Sequence, residues 1–418
     1  MNKTATLIFI VIALNACQQA TETTETEQSL VIDQMVKHRI DSTLQSFVVD
    51  STVVGASALI FEKGKEVYFN AFGYADREAG VHMARNTIVT IYSMTKPITG
   101  TTLMTLYEKG AFQLDDPLSR YAPEFTDMQA VTGLDDTGEM ILEPASRPIT
   151  IADITRHTAG FSRRSDLGLD KITGEADLLN LETTLTDMAA KLSKLPLGYQ
   201  PGQRWEYGIS VDVQAYLAEK LAGKPFHEYM KEVVLDPLGM SETGYFIPEE
   251  KRDQVAAIYY KTDSSLSRIP DERVHTINYD HWPMKPGGWG LTSTIDDYMK
   301  FAQMLVNEGT YKDATILKPE TVKLMATNHL PAVEDSLWLP SKGRVGFGID
   351  FAVRTASAKI PEENVGTVGE FFWDGAASTL FWVDPEHELT AVLFVQVMPF
   401  QGRVHKLFKD AVYGSFQP

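Results

Sequence analysis

The segment IYSMTKPITG, residues 91–100, determines how the rest of the chain is interpreted. It places Ser93 and Lys96 three residues apart, and at that spacing two side chains share one face of a helix. Serine is a weak nucleophile unless a base takes its proton, and a desolvated lysine amine can be that base. The chain contains this Ser-x-x-Lys pattern once, which is roughly the number expected by chance, so the surrounding sequence must support the interpretation.

The residues on either side predict that Ser93 stands at the start of a buried helix. Upstream, residues 53–61 and 66–74 are apolar or alternating around a Lys-Gly-Lys turn, which is typical of a β-hairpin. Downstream, an apolar helical pattern continues to Gly110, and Pro97 falls in the first turn, where an amide has no intrahelical partner. The positive end of this helix would face negative charge developing at the serine. From these residues alone, an ordinary surface helix is an equally good interpretation.

Two further segments carry residues suited to the same chemistry. Residues 201–212, PGQRWEYGISVD, place Tyr207 after a Pro-Gly turn and before an apolar helix. Residues 372–385, FWDGAASTLFWVDP, begin a strand in a β-rich tail and include the triplet Trp-Asp-Gly. Taken alone, Tyr207 and Trp373 would be interpreted as core aromatic residues. Another candidate, His157, precedes a turn, and we expect a structural rather than a catalytic role for it.

Together these segments resemble the serine β-lactamase-like hydrolases, which include class C β-lactamases, serine-type D-Ala-D-Ala carboxypeptidases and family VIII esterases. That family orders its motifs as Ser-x-x-Lys, then Tyr-x-Asn, then Lys-Thr-Gly, or variants of these. Two more segments, ITIADITRHTAGF at 149–161 and GGWGLTSTIDDY at 287–298, are also similar to family segments. The resemblance extends from about residue 31 to residue 417, far beyond the three short motifs.

The resemblance implies an α/β (α+β) fold with a mixed antiparallel sheet built from both chain ends, flanked by helices, with an inserted, mainly helical lobe. We expect one domain over residues 31–415, with a sheet lobe at about 31–110 and 290–415 and a helical lobe at about 111–289. Within it, the residue patterns predict strands at 347–353, 377–383 and 390–397, and helices at 32–48, 211–221, 294–307, 319–326 and 404–413.

The family's catalytic roles transfer to matching positions of this sequence. Ser93 would attack the substrate carbonyl, Lys96 would take its proton, and Tyr207 would pass a proton to the leaving group. The oxyanion would lie between the backbone amides of Ser93 and Ala376. No cofactor is implied, and no His-Glu-x-x-His pattern or cysteine pair suggests a metal.

Departures from the family pattern concern the substrate-binding residues. Ile209 replaces the asparagine with which β-lactamases hold a substrate amide. Trp373, Asp374 and Gly375 replace Lys-Thr-Gly, so the motif lacks the cation that holds a β-lactam carboxylate. Asp374 brings a negative charge to this place, and like charges repel. These residues favour neutral or apolar ester substrates, and Trp373 would line the acyl pocket.

The resulting expectation is a serine hydrolase that cleaves carboxylic esters through an acyl-enzyme, of the family VIII type and with a short-acyl preference. An amide hydrolase, such as a β-lactamase or a D-Ala-D-Ala carboxypeptidase, is a first alternative that the missing lysine weakens. A non-catalytic ligand-binding member is a second alternative. A binder has no need of Ser93, Lys96 and Tyr207 together, so their joint retention favours an enzyme.

The N-terminal residues are expected to lie outside the fold. Residues 1–16 contain a short apolar run and predict a signal peptide, and residues 17–30, rich in Thr and Glu, predict a disordered tether. Cys17 is the one cysteine and follows a sequence that resembles a bacterial lipobox, so it would carry a lipid anchor to the membrane. The protein would then be an exported lipoprotein on the periplasmic side. A plain signal peptide, giving a periplasmic or secreted protein, is the alternative.

Overall charge limits the partners further. The chain carries a formal net charge of −18, and its acidic residues are dispersed. Nucleic acids and anionic membrane surfaces are bound through basic patches, so neither is expected as a partner. With 44% hydrophobic and 22% charged residues, the 418-residue chain has the composition of an ordinary globular protein acting on a small-molecule ester.

Overall fold

The computed structural model describes residues 30–330, 337–339 and 342–417. The predicted signal peptide and Cys17 lie outside these ranges, so both stay predictions. Within the described ranges, no helix combines the length and the apolar character needed to cross a membrane.

The strands of the described chain fall mainly near its two ends. In chain order they are β1 (Gly55–Glu62), β2 (Lys65–Asp76), β3 (Val81–His82), β4 (Val89–Thr90), β5 (Gln129–Leu134), β6 (Met140–Pro144), β7 (Tyr259–Lys261), β8 (Leu266–Arg268), β9 (Thr292–Ser293), β10 (Thr310–Tyr311), β11 (Ala314–Thr315), β12 (Leu337–Leu339), β13 (Gly343–Phe347), β14 (Ala352–Val353), β15 (Phe371–Asp374), β16 (Leu380–Asp384), β17 (Leu389–Val395) and β18 (Val397–Met398).

The helices begin where local capping chemistry allows. Thr184 and Thr294, for example, accept amide hydrogens from the first turns of the helices that follow them. In chain order the α-helices are α1 (Gln34–Val49), α2 (Thr95–Glu108), α3 (Ile151–Thr155), α4 (Leu169–Ala176), α5 (Leu185–Leu192), α6 (Ser210–Ala222), α7 (Phe226–Met230), α8 (Asp236–Leu238), α9 (Asp271–Val274), α10 (Thr276–Tyr279), α11 (Ile295–Val306), α12 (Pro319–Met325) and α13 (Gly402–Tyr413).

A nine-stranded sheet forms the centre of the fold. Its order is β12-β13-β14-β15-β16-β17-β1-β2-β3, with antiparallel neighbours throughout. Strands from the two chain ends meet where β1 pairs with β17, with Ala58 opposite Leu393. Every residue of β17 is buried, which agrees with the continuous apolar run of its sequence.

Helices cover both faces of this sheet. Phe381 and Trp382 are neighbours in β16 and therefore point to opposite faces. The ring of Phe381 lies 5.0 Å from that of Tyr298 in α11, and the ring of Trp382 lies 5.5 Å from that of Phe408 in α13. The sheet is thus the middle layer between α11 on one side and α13 on the other.

The predicted fold class is confirmed, and one predicted strand needs correction. A single strand over 347–353 is wrong, because Gly348 to Phe351 form a turn and Asp350 adopts a left-handed φ of 59°. The chain therefore reverses between β13 and β14. The stretch expected to be mainly helical also contains the β5–β6 hairpin and the strands β7 and β8. Both short pairs have exposed positions, so their sequences lack the continuous apolar runs of the central strands.

Candidate active site

Ser93 lies in a tight turn immediately before α2. The turn is a 3₁₀ helix, Tyr92–Met94, so α2 itself begins at Thr95, after the serine. Tyr92 has a φ of 45°, a left-handed conformation that is rare for a bulky residue and often marks a functional turn. The hydroxyl of Tyr298 donates to the carbonyl of Met94 over 2.8 Å and holds the turn from α11.

Lys96 reaches back from the first turn of α2 to the serine. Its Nζ donates to Ser93 Oγ over 3.2 Å and to the carbonyl oxygen of Gly288 over 2.7 Å. The residue is only 6% exposed, so the amine is largely shielded from water. A shielded amine within hydrogen-bond reach of a hydroxyl is the geometry needed to accept its proton.

Tyr207 stands just before α6 and faces the same amine. Lys96 Nζ lies 4.6 Å from the centre of the tyrosine ring, and the indole N–H of Trp373 donates to the tyrosine hydroxyl over 3.4 Å. Tyr207 is 38% exposed, which leaves its hydroxyl accessible to a substrate. The structure thus brings Tyr207 to Ser93 and Lys96, from which it is more than 100 positions away in the sequence.

His157 contacts Tyr207 and the residue that follows it. Its ring centre lies 5.0 Å from that of Tyr207, and its Nδ1 accepts the amide hydrogen of Gly208 over 3.4 Å. Burial, assisted by the charge of Lys96, lowers the pKa of His157 to about 3. The imidazole is therefore neutral near pH 7, which agrees with the structural role expected for it.

Asp212, which sequence analysis did not single out, lies close to the catalytic amine. It belongs to the first turn of α6, is 3% exposed, and accepts the amide hydrogen of Gly288 over 3.0 Å. Gly288 in turn accepts from Lys96 through its carbonyl, so one residue connects the carboxylate to the amine. A Cβ at Gly288 would lie 3.2 Å from Lys96 Nζ, so this approach is tight for any other residue. In the sequence, the one sign of a special role for Asp212 is that this charged residue interrupts the apolar run at 209–218.

We expect Asp212→Asn to lower kcat/KM for a neutral ester by about tenfold, because hydrogen bonds to charged groups are worth about 1.5–3 kcal/mol. Burial raises the pKa of Asp212, an effect that Lys96 partly opposes. The folded protein is therefore penalised as pH rises above about 4, the usual value for an unfolded aspartate. Chemical unfolding should show the variant to be more stable than the wild type at neutral pH, with the difference vanishing below pH 4.

The exposed Asp263 provides the matched control for this substitution. Asp263→Asn should alter neither the ester kinetics nor the pH dependence of unfolding. Wild-type kinetics in Asp212→Asn, together with a stability difference that does not depend on pH, would show that Asp212 has no electrostatic role.

The third motif packs directly against the nucleophile turn. A Cβ at Gly375 would lie 2.5 Å from the carbonyl oxygen of Ile91, a distance that real Cβ atoms do not reach, so glycine is required there. Ala376 follows and is exposed. The amides of Ser93 and Ala376, predicted to bind the oxyanion, thus belong to two segments in direct contact. Their joint role stays a prediction.

Asp374 departs from its expected role. Its carboxylate forms an ion pair with Lys342, and His405 Nδ1 lies 3.8 Å from the same oxygen. Burial lowers the pKa of His405 to about 4, so this imidazole adds no charge near pH 7. The negative charge expected at the third motif is therefore present, but a cation from another part of the chain is paired with it. Lys342 is 32 positions from Asp374 (374 − 342), and no sequence pattern connects the two.

A cavity of about 440 Å³, with apolar and charged side chains in its lining, adjoins Lys96 and Tyr207. Ile209 lies in its wall, half-buried, where the asparagine of β-lactamases would stand. Trp373 packs against Tyr207, with ring centres 5.3 Å apart, but is not among the residues that line this cavity. Among the described residues, no group of three His, Cys, Asp or Glu side chains could hold a metal ion.

Comparisons with known proteins show the family to which the chain belongs. A family model described as Beta-lactamase matches residues 32–413. Esterase EstB of Burkholderia gladioli is 30% identical over 398 residues, which cover 90% of this chain and 94% of that esterase. Lovastatin esterase of Penicillium rubens is 25% identical over 405 residues, which cover 90% of this chain and 98% of that protein.

Solved structures give the same result. The structure of EstCE1, described as a hydrolase with promiscuous acyltransferase activity, matches with a TM-score of 0.75 and 26% sequence identity. The match covers 91% of this chain and 99% of that one. The family model spans nearly the whole described chain, and relatives that are named esterases match over about nine-tenths of it. The chain therefore belongs to the β-lactamase family and is a serine hydrolase of that family.

Proposed function

We propose that the chain cleaves carboxylic esters in two steps through an acyl-enzyme on Ser93. The observation that carries the proposal is the 3.2 Å contact between Lys96 Nζ and Ser93 Oγ beside the partly exposed side chain of Tyr207. These groups supply a nucleophile, a base and a proton donor within one site.

In the first step, Ser93 Oγ bonds to the ester carbonyl carbon while its proton passes to Nζ of Lys96, which acts as the base. The carbonyl oxygen becomes negative and is stabilised by the amides of Ser93 and Ala376. The bond from carbon to the alcohol oxygen then breaks. Tyr207 gives that oxygen a proton and recovers one from the Lys96 ammonium, so the alcohol leaves neutral.

In the second step, water attacks the acyl-enzyme and gives up its proton to the same lysine and tyrosine pair. The bond to Ser93 Oγ breaks, the serine regains its proton, and the carboxylic acid leaves. An alcohol in place of water would turn hydrolysis into acyl transfer with the same atoms moving. That second activity is favoured by the likeness to EstCE1, whose description includes promiscuous acyltransferase activity.

The proposed substrate class follows from the absence of a free cation and of an amide-binding side chain at the positions that match the family motifs. Ile209 cannot hold an amide by a hydrogen bond, Trp373 carries no charge, and Lys342 is already neutralised by Asp374. A charge-assisted bond to a substrate carboxylate is worth about 1.5–3 kcal/mol, or roughly ten- to a hundredfold in transition-state binding. We therefore propose neutral esters as substrates, in preference to carboxylate-bearing β-lactams and D-Ala-D-Ala peptides.

Assays of the purified protein test this preference. We expect kcat/KM for p-nitrophenyl butyrate to exceed that for nitrocefin by well over about tenfold, because no group compensates for the missing charge-assisted bond. The double variant Trp373→Lys, Asp374→Thr should narrow this gap, since it restores a cation and releases Lys342 from its carboxylate. Nitrocefin hydrolysis by the wild type on a par with its esters would contradict the proposed class. Absence of any turnover would favour the alternative of a non-catalytic binder.

A further inference from the structure

The cavity beside Lys96 and Tyr207 is lined in part by four leucines, one at the end of α5 and the others in the segments that follow α4 and α5. All four leucines line it: Leu178 and Leu192 are buried, whereas Leu179 and Leu195 are only half-buried. Their remaining exposed surface faces the cavity. Leaving such apolar surface in contact with water is unfavourable unless an apolar group covers it.

Five charged side chains also line the cavity. Arg163 and Asp177 are exposed. Glu206 is held in place, because its Oε1 accepts from the hydroxyl of Ser162 over 2.7 Å and from the amide of Arg163 over 3.1 Å. The remaining charges, Lys96 and Asp212, belong to the reaction centre. A ligand that fills the cavity therefore meets charged groups as well as leucines, and the leucine surface is the part that favours an apolar group.

The size of the cavity exceeds what a short acyl group can fill. Its volume of about 440 Å³ falls within the range of roughly 300–1,000 Å³ that is typical of sites for drug-sized ligands. An acetyl or butyryl group would leave most of the leucine wall uncovered. The short-acyl preference expected from the sequence does not follow from this geometry.

We propose that this cavity binds a bulky apolar group of the ester, on the order of eight carbon atoms or more. The group is either the acyl chain or the alcohol, since both extend from the carbonyl that Ser93 attacks. This inference rests on the proposed ester hydrolysis. It narrows the substrate class from neutral esters in general to esters with one large apolar arm.

Two ester series test the proposal and distinguish the two arms. The acyl series compares p-nitrophenyl octanoate with p-nitrophenyl acetate, and the alcohol series compares octyl acetate with ethyl acetate, all below their aggregation limits. Each methylene buried in the cavity is worth about fourfold in binding. We therefore expect kcat/KM to rise by at least about tenfold from the short to the long member in one series.

Substitutions in the wall show whether the cavity is responsible. Leu179→Arg places a charge in the apolar surface and should lower the long-to-short ratio by about tenfold or more. The matched control is Leu142→Arg on β6, where the leucine is 42% exposed and remote in sequence from the cavity lining. This control should keep the wild-type ratio. A flat profile in both series, or a long-chain preference that survives Leu179→Arg, would overturn the proposal.

Binding to Ser93→Ala protein separates this inference from the proposed function. Without the nucleophile, p-nitrophenyl octanoate should stay intact and bind at least about tenfold more tightly than p-nitrophenyl acetate in calorimetric titration. Adding Leu179→Arg should remove that difference. If the wild type turns over no ester but this binding difference is present, the hydrolase mechanism fails and the cavity assignment stands. If both esters bind Ser93→Ala equally, the cavity assignment fails whatever the activity.

Discussion

Replacing Ser93 by alanine is expected to lower kcat/KM for p-nitrophenyl butyrate by at least about ten-thousandfold, because no acyl-enzyme can form without the hydroxyl. The fold should remain, since the one hydrogen bond lost is that from Lys96 to Ser93 Oγ, which is worth roughly 1 kcal/mol. Steady-state kinetics and chemical unfolding measure the two effects on the same protein.

A matched control distinguishes the nucleophile from serines in general. Ser264 is exposed in the segment between β7 and β8, and Ser264→Ala should retain wild-type kinetics. Substantial ester turnover by Ser93→Ala would mean that another residue attacks the substrate. If Ser93→Ala loses activity because it unfolds, Ser93→Gly is the second variant to test. Glycine also removes the hydroxyl, and it tolerates the backbone conformation of a tight turn.

Replacing Lys96 by methionine is expected to have the second largest effect, a loss of about 10²- to 10⁴-fold in kcat, which is the usual contribution of a general base. Methionine preserves the apolar stem of the side chain but cannot accept a proton from Ser93. Arginine at the same position should not restore activity, because a guanidinium keeps its proton. The rate of ester turnover and the rate of Ser93 labelling by a fluorophosphonate both report this loss.

The pair of substitutions at Lys96 separates a base from a fixed positive charge. If the lysine acted only as a charge, Lys96→Arg would retain much of the activity, and the proposed proton transfer would be wrong. Lys65→Met, in an exposed position at the start of β2, is the control and should behave as the wild type. Thermal unfolding of each variant identifies effects that come from instability alone.

The sheet and its helices were largely predictable from local patterns. The continuous apolar run of β17 and the periodic helix α11, with its capping Thr294, produce strong signals at distances of a few residues. The turn between β13 and β14 was not predictable. It depends on Asp350 in a left-handed conformation, which no local apolar pattern signals.

Only the site residues that belong to a sequence motif could be predicted. Ser93, Lys96 and Tyr207 stand in recognisable segments, and the structure brings them into one group. Asp212 and Lys342 act through contacts made across the fold, to Gly288 and to Asp374 respectively. Such contacts follow from how the chain packs, so single-sequence patterns do not reveal them.

The central claim is that Ser93 Oγ is the nucleophile that attacks the ester carbonyl. Intact-mass analysis of the wild type after treatment with a fluorophosphonate is expected to show one adduct, and peptide mapping is expected to place it on Ser93. The Ser93→Ala protein should show none under the same conditions. An adduct on any other residue, or undiminished ester turnover by protein that is fully labelled at Ser93, would contradict the assignment of Ser93 as the nucleophile.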